Sequence, residues 1–219
     1  MNFFNFYLGI RAIPKTVYFN LKYFRFKDAI KFPVLVSHRV VLSKMKGSVE
    51  ISAPLKTAMI RIGFGKVRIF DQRRMRAVWH LEGSMVFKGS ASLGNGTKLS
   101  VLGNLTMGNN FIVSAHSQIE CRKRIVFGDD VLIGWDCLFM DTDGHHILKD
   151  GRKINQNKDI IVGDRVWFGC RTTITKGVIV ASDIVVATNT CLYGTFLETN
   201  CIVAGNPPEI KKRDITWVG

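Results

Sequence analysis

The chain has 219 residues, 47% hydrophobic and 22% charged, which is ample for a packed core and argues against a disordered segment. Its formal charge of +14 is uneven: residues 1–80 hold 16 Lys+Arg against 3 Asp+Glu, and the remainder holds 15 against 14. The basic front suits an anionic partner such as a headgroup surface or phosphorylated carrier, with solubility as the plainer role, and no run reaches the roughly 18–20 apolar residues that span a bilayer.

Residues 1–40 interleave aromatic and basic side chains, from Phe3, Phe4, Phe6 and Tyr7 through Tyr18, Phe19, Tyr23, Phe24, Phe26 and Phe32, with Arg11, Lys15, Lys22, Arg25, Lys27 and Lys31 between them. The composition predicts one or two short amphipathic segments, read as an α or irregular cap over an open solenoid end, an interfacial membrane element, or both. No RNP, zinc-finger or helix-turn-helix signature supports nucleic-acid binding. The five cysteines, Cys121, Cys137, Cys170, Cys191 and Cys201, form no C-x-x-C pair and no secretory signal precedes them, so they read as reduced thiols of a cytoplasmic protein, with a peripheral position at the inner membrane face as the other option.

Between Val40 and His80 the pattern is irregular, with Val49, Ile51, Ile60, Ile62, Val67 and Ile69 alternating with polar or small residues, and is read as the first, imperfect coils. From Leu81 an apolar residue recurs every sixth position: Leu81, Phe87, Leu93, Leu99, Leu105 and Phe111. That period fits neither a helix nor an alternating strand; it fits a parallel β-helix, in which three short strands per coil each turn one apolar side chain inward. Gly83, Gly89, Gly94, Gly96, Gly103 and Gly108, with Asn95, Asn104, Asn109 and Asn110, are expected to supply left-handed backbone at the corners. Small residues four places after each periodic one, such as Thr97, Cys137 and Thr172, fill a second inward slot. Arg122-Lys123-Arg124 reads as an insert that shifts the register. The rhythm continues at Phe127-Gly128-Asp129-Asp130-Val131-Leu132, breaks at Asp141-Thr142-Asp143-Gly144-His145-His146, and returns at Val162 to hold at Phe168, Ile174, Val180, Val186 and Leu192. The resulting division is an N-terminal cap over 1–40, a solenoid over 41–210 with a loop insertion over 141–160, and a basic tail over 211–219. A polar loop with two histidines breaking a rigid scaffold is where chemistry is expected.

In this order the segments Gly128-Asp129-Asp130-Val131-Leu132-Ile133-Gly134, Asp141-Thr142-Asp143-Gly144-His145, Val166-Trp167-Phe168-Gly169 and Val203-Ala204-Gly205-Asn206-Pro207 resemble the hexapeptide-repeat acyltransferases over roughly residues 81–210. Upstream, Lys15-Thr16-Val17-Tyr18-Phe19-Asn20 with Ala29-Ile30-Lys31-Phe32-Pro33 looks like the leader of the subgroup in surface-polysaccharide biosynthesis. The resemblance implies an all-β, left-handed parallel β-helix, a homotrimer with sites between neighbouring subunits, and acetyl-coenzyme A as donor, with no metal. It implies an O-acetyltransferase acting on a sugar hydroxyl of a surface polysaccharide or its precursor. An amino-sugar N-acetyltransferase and a non-catalytic β-helix scaffold, akin to γ-carbonic-anhydrase-like solenoids, are the alternatives.

By the same resemblance His145, rather than His146, is the general base, and Asp143 or Asp141 orients its ring; otherwise the two are solvated or, with the aspartates, bind a metal. A histidine suits a hydroxyl that loses its proton while attacking a thioester. The resemblance further implies that Trp167 lines the pantetheine groove, with subunit packing as its plainer role, that Gly169, Cys170 and Thr188 contact the donor, and that tail Lys212, otherwise simply solvated, stands where the family has a basic residue by the 3′-phosphate. The family's Thr-Lys pair after the last regular coil is Tyr193-Gly194 here. Ser114 and His116, with Asp141, are the acceptor-side candidates, Ser114 replacing the asparagine of many sugar acetyltransferases. A metal site from His116, His145 and His146 has poor spacing.

Overall fold

In a computed structural model the chain is a three-faced parallel β-helix closed at one end by a helix; residues 3–65, 67–71 and 74–218 are described, with side chains from residue 7. Phe3, Phe4 and Phe6 therefore lie outside the described side chains. Helix α1 (Phe3–Tyr23) and the short α2 (Phe26–Ala29) precede the first strand, β1 (Val34–Val36). Three sheets follow, here called A, B and C. Sheet A runs through β1, β4 (Ile60–Ile62), β7 (Ala91–Asn95), β10 (Phe111–Ala115), β13 (Leu132–Trp135), β18 (Trp167–Phe168), β21 (Ile184–Val186) and β24 (Cys201–Ala204). Sheet B begins with β2 (Val40–Met45) and includes β5 (Ala77–Leu81), β11 (Gln118–Cys121), β14 (Leu138–Met140), β19 (Thr173–Ile174) and β22 (Cys191–Leu192). Sheet C begins with β3 (Ser48–Ile51) and includes β12 (Arg124–Phe127), β17 (Ile160–Val162) and β20 (Ile179–Val180). Within these parallel ladders a strand thus bonds to the coils before and after it, never to its neighbours within its own coil.

The first coil starts at Val34, inside the segment read as cap, and the cap is mainly one 21-residue helix. The tail also differs: β25 (Glu209–Lys212) returns antiparallel along β24, so Lys211 and Lys212 end a strand. All five cysteines are free.

The six-residue rhythm conceals two coil lengths. Lys98 pairs with Gln118 and Asn104 with Arg124, twenty residues on, whereas Trp167 pairs with Val185 and Thr173 with Cys191, eighteen on. In the longer coils one face carries an extra pair of residues, so Leu93 stacks beneath Val113 and Ala91 beneath Phe111. Leu105 and Phe111 both point inward, but at different levels of their strands. Arg122-Lys123-Arg124 is not an insert, because it sits in register above Leu102-Gly103-Asn104. Inside the prism Phe111, Phe127, Phe139 and Phe168 form a continuous column, with centroids 4.9, 5.2 and 5.1 Å apart, the first pair tilted and the other two edge-on.

The corners are built differently from the expectation. Left-handed backbone falls mainly on Asn110, Asp130, Arg165, Asp183 and Asn200 at the C-to-A corner and on His116, Asp136, Arg171 and Asn189 at the A-to-B corner. Of the residues assigned that role from sequence, only Gly96 and Asn110 have positive φ. Most glycines serve close approach instead: a Cβ on Gly83 would stand 2.0 Å from the Gly103 carbonyl oxygen, and one on Gly108 2.0 Å from that of Gly128. The Gly-Asx-Asx phrase has its own purpose. The backbone N–H of Ser90 donates to Asn109 Oδ1 (3.0 Å), that of Asn109 to Asp129 (2.7 Å), that of Asp129 to Asp164 (2.8 Å) and that of Asp164 to Ser182 Oγ (2.9 Å). One side chain per coil thus caps an orphan amide in the coil below.

At the open end α1 lies across β1. The Val34 N–H donates to Asn20 Oδ1 (3.2 Å), Asn20 Nδ2 donates to the Val34 carbonyl (2.7 Å), and the Val36 N–H donates to Thr16 Oγ1 (3.0 Å). Phe19, fully buried, packs edge-on to Trp79, whose indole N–H donates to the Tyr23 hydroxyl. Asn20→Ala would strip both polar groups of Val34 of their partner in a dry interface, which costs about 2–4 kcal/mol of unfolding free energy. Tyr18→Ala, on the exposed face of the same helix, should stay within about 0.5 kcal/mol. Urea denaturation of the two variants distinguishes them; equal losses would mean that Asn20 is not what closes the edge.

Candidate active site

The polar break is a folded hairpin rooted in the solenoid. Asp141, fully buried, accepts the backbone N–H groups of Arg122 (2.7 Å), Lys123 (2.7 Å) and Arg124 (2.8 Å) from the preceding coil. A buried carboxylate persists only with such partners. Asp141 is consumed by this turn and is therefore not available to bind an acceptor or to orient a histidine. Beyond it the Gly144 N–H donates to Thr142 Oγ1 (3.1 Å) with Gly144 at φ +75°, and Leu148–Lys149 pairs antiparallel with Arg152–Lys153.

Asn155 holds the tip together. Its side chain is buried; Nδ2 donates to the carbonyl of His145 (2.8 Å) and to Asp143 Oδ2 (2.8 Å), while Oδ1 accepts the Ile147 N–H (2.7 Å). Asp143 also accepts Lys176 Nζ from the following coil. The Lys176 hydrogen bond, then that from Asn155, keeps the Asp143 carboxyl below the usual carboxylate range. This anchor is therefore complete once Asp143 is ionised and is lost only as pH falls through its depressed value. Asp143 thus fixes the main chain beneath His145 instead of its ring, contrary to the orienting role assigned from sequence. His145 and His146 are exposed, and no group among the described residues hydrogen-bonds either ring.

The acceptor-side candidates stand elsewhere. Ser114 faces outward near the end of β10, and His116 follows at the A-to-B corner with φ +58°. His116 Nδ1 lies 2.6 Å from Asp136 Oδ1 of the next coil, and its ring packs against Phe70 with centroids 5.8 Å apart. The excursion between β4 and β5 is held here by Asn95 Nδ2, which donates to the Gly65 carbonyl (3.0 Å). From Asp136 to Asp141 the chain crosses the width of sheet B, about 16 Å for five extended residues. One protomer therefore sets His145 and the Ser114–His116 pair at opposite edges of one face. His116 likewise stands apart from His145 and His146, and no cluster of three His, Cys, Asp or Glu is gathered among the described residues.

The donor-side candidates do share a neighbourhood. Trp167 is 39% exposed on the outer row of sheet A, above Leu132 and below Val185. Gly169 and Cys170 follow at its corner; Cys170 Sγ is 3.5 Å from Thr188 Oγ1, one coil on. A Cβ on Gly169 would stand 2.7 Å from the Thr188 backbone nitrogen, and the Gly169 N–H donates to the Val186 carbonyl (2.7 Å), so this glycine serves close packing between two coils. Lys212 pairs with Ile202 in the last ladder and has no ionic partner among the described residues.

Three residues escaped the sequence reading: Asn155, Lys176 and Trp217. Trp217 lies 6.0 Å from Trp167 between ring centroids, and its indole N–H donates to the Arg165 carbonyl (2.9 Å). Thr175-Lys176 stands one coil before Tyr193-Gly194, since Ile174 pairs with Leu192; that repeat relation was the one available signal for Lys176.

No protein-family model matches the chain. It is 32% identical over 144 residues to a polysialic acid O-acetyltransferase of Escherichia coli O1:K1 / APEC, covering 59% of this chain and 41% of that one. It is 38% identical over 88 residues to a polysialic acid O-acetyltransferase of Neisseria meningitidis, covering 39% of each. The chain thus spans about two fifths of the length of these curated relatives. The crystal structure of the polysialic-acid-specific acetyltransferase NeuO superposes with a TM-score of 0.57 at 18% identity, over 83% of this chain and 89% of that one, and so shares the fold. With its hexads and its three parallel faces the chain has the left-handed parallel β-helix fold, and in sequence it is similar to hexapeptide-repeat O-acetyltransferases.

Proposed function

We propose that the protein is an O-acetyltransferase that moves an acetyl group from acetyl-coenzyme A to a sugar hydroxyl of a surface polysaccharide or its precursor, with His145 as general base. The observation that carries this reading is the tip of the hairpin: its main chain is pinned by Asn155, Asp143 and Lys176, while the His145 ring is exposed and free of internal partners. A base built this way is held in place without being neutralised. The kinship with polysialic acid O-acetyltransferases supports the reaction class.

In the reaction the imidazole takes the acceptor hydroxyl proton as the oxygen attacks the thioester carbonyl. A C–O bond forms, the C–S bond breaks, and the proton passes from the imidazolium to the departing thiolate. Trp167 and Trp217 form an aromatic wall for the pantetheine arm, and the Cys170 thiol and Thr188 hydroxyl stand at the adjoining corner. Lys212 is placed to meet a coenzyme phosphate. The acceptor is held by Ser114 and His116 of a neighbouring copy, because one chain sets these an edge away from its own His145. The active assembly is accordingly a homotrimer. The basic, apolar α1–α2 end rests against an anionic membrane surface; no described helix is long and apolar enough to cross one.

His145→Ala should lose about 10²–10⁴-fold in acetyl transfer with its melting curve unchanged, and His146→Ala should lose far less. With the Asp143 carboxyl held below the usual carboxylate range, the anchor under His145 should stay intact as pH falls from neutrality until that range is passed, and the melting temperature should show no loss from it above that point. Full turnover by His145→Ala in a radiolabelled acetyl-coenzyme A assay would refute the base. Asn155→Ala should lower kcat about tenfold or more, since a misplacement of about 1 Å can cost 10²-fold, and Asn155→Asp should not rescue it, because the His145 carbonyl needs a donor. Light scattering should give three times 24.7 kDa; a monomer at micromolar concentration would sink the shared site.

A further inference from the structure

The N-terminal half of α1 does not close fully on the first coil. A groove of ≈ 820 Å³ runs between them, within the range of small-molecule sites. Leu8, Ile13 and Val17 line one wall, and Phe32, Leu35 and Phe64 the other. The charged side chain on its lining is Arg61, whose guanidinium stacks on the Phe64 ring at 5.6 Å and pairs with no carboxylate among the described residues. An apolar channel with one cation at its edge matches a hydrocarbon chain that ends in an anionic head.

The surroundings identify the source of such a chain. On the far side of α1, Tyr7, Ile10, Tyr18 and Leu21 are 46–56% exposed; Phe26 of α2 adds 73% and Ile30, just after α2, 52%. Arg11, Lys22, Arg25, Lys27 and Lys31 accompany them against Asp28 alone. A second copy brought to this end would set like charges together, whereas an anionic lipid surface would neutralise them and receive the apolar side chains. The geometry points to a lipid-binding site: the groove between α1 and the first coil takes one hydrocarbon chain of an anionic membrane lipid, with its headgroup phosphate on Arg61. This rests on the peripheral membrane reading above, and deepens it from a surface to a defined site.

The test uses the full chain and n-alkyl phosphates below their self-association concentrations, with the matching alkanols as controls. Calorimetry should show one site per protomer, about tenfold tighter for each two added methylenes until the groove is full, and weaker binding of the alkanols. Gly9 lines the groove, and a Cβ there would meet nothing within 4 Å, so Gly9→Trp fills the space without harming the helix. It should lose at least tenfold in alkyl phosphate affinity while keeping its thermal stability and acetyl transfer. Arg61→Gln should weaken the phosphates and leave the alkanols unchanged. Unsaturable binding, equal affinity for phosphate and alkanol, or full affinity in Gly9→Trp would overturn the site. In flotation with phosphatidylglycerol-containing vesicles, wild type should float and Gly9→Trp should float less. Flotation undiminished in Gly9→Trp would leave a docking surface but overturn the groove; alkyl phosphate binding without flotation would overturn the membrane as its source.

Discussion

Asn20, buried between α1 and β1, ends the ladder on which every other element is stacked. In a parallel β-helix the main-chain groups of each strand belong to the coils above and below, so the first coil has a face of donors and acceptors with no partner. Exposed edges of this kind invite pairing with another chain. Helix α1 removes it with side chains: Asn20 reads both polar groups of Val34, Thr16 takes the Val36 amide, and Lys15 Nζ donates to the carbonyls of His38 (2.8 Å) and Val40 (2.5 Å). Burial for that purpose lowers the Lys15 pKa, with the nearby Arg76 charge acting in the same direction. The far end uses another device, the antiparallel return of β25.

These dependencies explain what the sequence disclosed. Inward stacking repeats along the chain, so an apolar residue every six places was visible, and the parallel β-helix followed from it. Register was harder, because a longer face in the twenty-residue coils preserves the local spacing while moving each residue to another level, as with Leu105 and Phe111. In the corner ladder through Asn109, Asp129 and Asp164, Asn109 was expected to supply left-handed backbone, whereas all three act through side-chain acceptors for amides of the neighbouring coil.

The hairpin was legible as an interruption, and His145 as its salient residue. Its supports were not. Asn155 reaches Asp143 and His145 across twelve and ten residues, and Lys176 reaches Asp143 across thirty-three, with no period linking them. Asp141 looked like a loop carboxylate because nothing in the sequence marks the three amides of the Arg122–Arg124 turn as needing it. Buried polar demand is created by tertiary contact, and local pattern carries little trace of it.

Coil stacking also makes height a counted quantity. Sheet A passes from β1 through β4, β7 and β10 to β13, four steps before the coil that bears the histidine hairpin. At about 4.8 Å per step that coil stands about 19 Å from the helix-capped end. Gain or loss of one coil would raise or lower the hairpin by a single step while the local contacts of Asp141, Asn155 and Lys176 stay as they are. The solenoid is therefore a spacer with discrete settings, and the distance between whatever meets α1 and whatever meets His145 can change in evolution without any change in the chemistry at either end.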